Sequence, residues 1–184
     1  IDPATGRLLL FEGYDGAGGS FPPVMASAFP LGFDLDADVE KTTRLHSLDH
    51  ADDYLGMPMW SSHYAVWAGM EGRRELALRG LEKGIGERVV EPYRQFIECG
   101  PGRGAPELQR HTCFLTAPGG LLTVCLLGLT GLDLLAGEPA DWPRRAICLP
   151  EGWEAIEVER VWAHGRPARL VARHGADQAE LTLQ

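Results

Sequence analysis

The run Leu121–Leu135 constrains this chain more than any other segment. It is the most apolar run of the chain, leucine-rich with Val124, Cys125 and small residues in the gaps, and its single charge is Asp133. At about fifteen residues it is at least three short of a bilayer span. A helix with apolar residues on every side has no face to offer water, so the stretch predicts a central buried helix over 121–132. Pro118 and Gly119-Gly120 mark its start.

Three more helices are predicted upstream. Ala37–Leu55 carries Val39, Leu45, Leu48 and Leu55 among charges, with Asp36 or Asp38 near its N-terminus, and Gly56-Met57-Pro58 ends it. A tightly packed helix follows from Trp60 to Met70, with Ser61 or Ser62 near the cap. Another runs from Arg73 to Val90, closed by Pro92. Leu8–Phe11 reads as a short strand within a turn-rich opening segment. Helical hairpins joined by long Gly- and Pro-rich loops fit an α/α toroid better than a bundle. After Gly137 the pattern changes to strands over 146–149, 155–162, 168–171 and 178–183, with turns at His164-Gly165 and His174-Gly175. The expected division is a helical domain over 1–137 and a small β unit over 138–184.

Composition removes several classes of function. With 184 residues, 45% of them apolar and 23% charged, the chain can bury a real core. A formal charge of −9 argues against nucleic acid or an anionic membrane as partner. Cys99, Cys113, Cys125 and Cys148 show no C-x-x-C spacing and read as reduced core residues. No basic-plus-apolar leader is visible, and a cytoplasmic protein is the expectation. The chain opens at Ile1, inside what reads as the middle of an element, which suggests a fragment.

Glu98 is the leading catalytic candidate. It follows Tyr93 and Phe96 and precedes a Gly-rich stretch, a setting that suits a carboxylate at the rim of a cleft. The competing reading is a carboxylate in salt contact with Arg94 or Arg103. Trp60-Ser61-Ser62-His63-Tyr64 offers aromatic surface with hydroxyl and imidazole donors, the groups that sugar pockets use, and an aromatic there also serves as core filler. Trp60, Ser61, His63 and Tyr93 are therefore the candidate substrate-binding residues. His46 and His50 have the i, i+4 spacing of a zinc pair, but the segment lacks a third ligand and reads as a solvated helix face. Gly13–Ser20 lacks the Gly-Lys-Ser/Thr ending of a phosphate loop, and no G-x-S-x-G elbow is present. No metal or cofactor is expected.

Taken in order, several blocks resemble glycoside hydrolase family 65, the family of acid trehalases, glucosylgalactosyl-hydroxylysine glucosidases and α-glucoside phosphorylases. Phe11-Glu12-Gly13-Tyr14 is similar to the segment after the family's general-acid region. Phe29-Pro30-Leu31 resembles "Tyr-Pro-Leu", Gly56-Met57-Pro58-Met59-Trp60-Ser61 resembles "Pro-x-Met-x-Trp-Ser", and Phe114-Leu115-Thr116 with Gly119-Gly120 resembles "Phe-Leu-Thr-Gly-x-Gly-Gly". The tail from Arg145 to Leu183 is similar to the family's C-terminal β domain.

The resemblance implies an (α/α) six-hairpin barrel followed by a small antiparallel β unit. It also implies cleavage of α-glucosides with inversion, which requires a carboxylic acid and a carboxylate base on opposite sides of the bond. Glu98 falls at the base's position, and the acid would lie upstream of Ile1, in a missing N-terminal part of the same protein. The chain departs from the family at Ser20-Phe21-Pro22-Pro23, where Lys-Gln-Ala-Asp is usual. It also lacks the Asp-Ser-Ser loop and the His of the phosphorylases, carrying Gly56–Met59 and Phe114 instead, so hydrolysis is favoured over phosphorolysis. The alternative function is a catalytically silent carbohydrate-binding or scaffold domain.

Overall fold

Glycine sets how closely the helices of this protein approach one another. The computed structural model describes residues 1–14, 29–98 and 113–184, which fall into two compact units, Ile1–Leu55 and Gly56–Gln184. In the second unit α2 (Pro58–Met70) packs against α3 (Arg74–Gly84), against α4 (Thr116–Thr123) and against the π-helical turn Val124–Leu129 that continues α4. A Cβ at Gly69 would run into the backbone of Gly128, one at Gly84 into Ser61, and one at Gly120 into Ser62. Each glycine removes the atom that would hold two backbones apart.

The centre of this packing is α2, whose Trp60, Tyr64, Ala65, Val66, Trp67 and Ala68 are all buried. The Leu121–Leu132 run lies nearer the surface than its composition predicts. Val124, Gly128 and Leu129 are buried, while Leu122 is 61% exposed. Helix α2 holds the centre because its aromatic rings fill volume and its small residues admit neighbours on both flanks.

The first unit is built on α1 (Ala37–Asp49), and Ala51–Asp53 adds a 3₁₀ turn before the predicted end at Leu55. Asp36 caps α1 as expected, its Oδ1 accepting the N–H groups of Asp38 at 3.0 Å and Val39 at 3.2 Å. The Leu8 N–H donates to the Thr43 hydroxyl at 2.9 Å, and the buried Tyr14 and Tyr54 hydroxyls lie 3.0 Å apart. Residues 8–11 are irregular, not a strand.

Beyond α3 the chain leaves helix earlier than its apolar spacing predicts. Gly84 and Gly86 interrupt the pattern, a 3₁₀ turn covers Gly86–Arg88, and a short hairpin follows. It pairs β1 (Val89–Val90) with β2 (Gln95–Phe96) in antiparallel register. The C-terminal sheet has the order β3 (Ala155–Ala163), β4 (Arg166–Arg173), β5 (Glu180–Leu183), antiparallel throughout. His164 at φ +48° and Gly165 at φ +77° make the two-residue connection between β3 and β4, the paired left-handed conformations that this hairpin turn requires. The β3–β4 register shifts between Val158 and Val161, a β-bulge. The segment 146–149, buried at Ile147, Cys148 and Leu149, is not a strand. The Cys148 N–H donates to the Leu129 carbonyl at 2.9 Å, tying it to the end of the π-helical turn.

These elements overturn the expected (α/α) six-hairpin barrel. Among the described residues there are four α-helices and two small antiparallel sheets, so no ring of hairpins is formed. Periodicity locates helices without fixing how many close into one layer. The expected boundary at 137/138 falls inside the second unit. No helix among the described residues is long and apolar enough to cross a membrane.

Candidate functional site

The second unit contains a small cleft whose walls come from three stretches far apart in sequence. Gly56, Met57, Pro58, Met59 and Trp60 form one wall, Arg88 and Glu98 a second, and Phe114 a third. Each wall follows from local chemistry. Pro58 occupies the first turn of α2, where its missing N–H costs nothing, and this starts the helix beside the cleft. Gly56 precedes it at φ +100°, a conformation that suits glycine. Its N–H donates to the Ser61 Oγ at 2.9 Å, and its carbonyl accepts from the Arg88 guanidinium. Backbone bonds position the other two walls. The Ile97 N–H donates to the Arg88 carbonyl at 3.0 Å, and the Phe114 N–H donates to the Phe96 carbonyl at 2.9 Å.

The cleft encloses about 70 Å³. A liquid water occupies roughly 30 Å³, and ligand pockets usually run to roughly 300–1,000 Å³. The described walls therefore admit water and one edge of a small ligand. Glu98 is exposed and Trp60 is only 7% exposed, so the indole forms a fixed wall and the carboxylate stands at the mouth. Arg88 is half-buried, and its Nε–H is buried with no acceptor among the described residues.

The structure brings together two of the five site residues predicted from sequence. Glu98 and Trp60 share the cleft. Ser61 is fully buried and occupied in holding Gly56, so it shapes the wall and does not reach a ligand. The His63 ring lies between Trp60 and Trp67, with centroids 5.9 Å from each, and is not a lining residue. Burial pushes its pKa below the usual histidine value, favouring the neutral ring. Tyr93 sits in the turn between β1 and β2, 84% exposed and away from the cleft.

The salt contact weighed against a catalytic Glu98 takes a different form. Arg94 lies 3.7 Å from Glu91 across the hairpin turn, and Arg103 is outside the described residues. So are the Gly-rich stretch after Glu98, the Ser20–Pro23 departure and most of the Gly13–Ser20 loop. The His46 and His50 rings are tilted against each other with centroids 4.3 Å apart, and no group of three metal-ligating side chains occurs among the described residues. Arg88 was not singled out by sequence, because an arginine at the end of an amphipathic helix reads as solvated surface. The signal that marks it is the glycine pair at 84 and 86, which ends the helix before it.

No family model, curated protein or solved structure matches this chain.

Proposed function

We propose that this chain is the C-terminal part of an inverting α-glucoside hydrolase similar to family 65, with Glu98 as the base that activates water. The observation that carries the reading is convergence. Two of the blocks that carry the resemblance, Gly56–Trp60 and the one opening at Phe114, line one cleft together with Glu98, the residue at the base's position. In the proposed reaction water attacks the anomeric carbon while Glu98 takes its proton. The glycosidic C–O bond breaks, and a general acid protonates the departing oxygen. Glu98 is the sole carboxylate among the described lining residues, so on this reading the general acid is supplied from outside that set.

A second reading has an observation of its own. One carboxylate in so small a cleft also fits a catalytically silent carbohydrate-binding domain. The test is Glu98→Gln in the full-length protein with α-glucoside substrates, with and without inorganic phosphate. The substitution keeps shape and removes the base, so kcat is expected to fall roughly 10²–10⁴-fold. Glucose release should not depend on phosphate. A kcat within about twofold of wild type would show that Glu98 is not the base. Phosphate-dependent formation of glucose 1-phosphate would overturn hydrolysis, and Arg88 supplies the positive charge that makes this arm worth running.

A further inference from the structure

We infer that Arg88 is a positioning residue, a latch that joins the Gly56–Trp60 wall to the segment bearing Glu98 and sets the gap between indole and carboxylate. The two ends of the residue perform the two halves of the task. Its backbone carbonyl accepts the Ile97 N–H at 3.0 Å, one residue from Glu98. Its side chain reaches the other way, donating from Nη2 to the Gly56 carbonyl. Because the Gly56 N–H is held by Ser61, the turn opening that wall has both of its polar groups tied.

Arginine is an unfavourable choice here on grounds of stability alone. Its Nε–H is buried without an acceptor among the described residues, and an unmade buried hydrogen bond costs free energy. An apolar side chain of similar length would carry no such cost. What it would lose is the bridge between two walls, and geometry between a held ligand and its base is what turnover depends on. The effect on turnover rests on the reading of Glu98 as base, whereas the latch itself can be observed without turnover.

The test compares Arg88→Met, which keeps the stem and removes the donors, with Arg88→Lys, which keeps one donor. In the full-length protein, hydrogen exchange of the amides between Gly56 and Ser61 is expected to quicken in the Met variant, with the thermal midpoint close to wild type. Misplacement by about 1 Å costs on the order of 10²-fold, so kcat should fall by about that factor. KM should move by less than about threefold, since both walls remain. Lys should recover part of both effects. Unchanged exchange between Gly56 and Ser61 would overturn the inference, as would a loss confined to KM or one matched by general unfolding. If Glu98→Gln retains full turnover, the hydrolase reading falls and exchange alone decides the latch.

Discussion

At the scale of single residues, glycines that look alike in the sequence have opposite tasks. Gly69 and Gly119 both lie inside helices, where alanine is intrinsically favoured by about 1 kcal/mol. A Cβ at Gly119 meets open space, so Gly119→Ala should stabilise by up to about that amount. At Gly69 the new atom would strike the backbone of Gly128, which cannot rotate aside. Gly69→Ala should therefore destabilise by about 1–3 kcal/mol. Urea midpoints of the two variants check both signs, and a gain at Gly69 would show the helices free to separate. Sequence alone could not sort these positions, because the backbone that Gly69 meets belongs to a residue dozens of positions away and nothing comparable stands over Gly119. The same limit hid Arg88, whose partner Gly56 is distant in the chain. Glu98 and Trp60 were legible because each sits beside local signals of a cleft wall. Tyr93 had those signals too, but a hairpin turn carries it outward.

Elements were more legible than residues where the pattern is local. Asp36 capping α1 and the His164-Gly165 turn both depend on neighbours within a few positions, whereas α2 starts at Pro58 and not at the expected Trp60, with Ser61 and Ser62 inside the helix and no side-chain cap. Asp36→Ala removes the acceptor for two helix N–H groups and should cost about 1 kcal/mol, read as a lower thermal midpoint by circular dichroism. No loss would mean that solvent caps α1 equally well. Elements misjudged from sequence failed for tertiary reasons. The segment 146–149 has a strand's composition, but Cys148 bonds to the Leu129 carbonyl and no sheet ladder includes it. The leucine run began as a helix near its predicted start, then widened into a π-helical turn at Val124–Leu129. Its half-buried place beside the centre follows from α2, whose Trp60, Tyr64 and Trp67 already fill the core.

Taken whole, the protein carries a built-in sensitivity to acid. Burial holds His63 below the ordinary histidine value of 6.5, and burial together with Arg7 does the same for His46. In each case the folded state prefers the neutral ring, so the unfolded chain binds the proton more readily. This contribution is fully present above about pH 6.5 and is lost as pH falls through the depressed folded values. Denaturation midpoints should therefore drop between about pH 7.5 and about pH 5.5, and drop less in a His46→Gln/His63→Gln double variant. An equal drop in both would assign the acid sensitivity to other groups.

The bulge in β3 has a consequence for how copies of the protein coexist. In a sheet ordered β3-β4-β5 both outer strands have an edge that no other strand among the described residues pairs, and a straight outer strand invites a neighbouring molecule to add its own. The register shift between Val158 and Val161 bends that border, and Glu157, Glu159 and Arg160 place charge along it. β5 has only four residues to offer. A crowded solution thus meets a short border on one side and a twisted, charged one on the other, and neither gives an incoming strand a continuous ladder to extend.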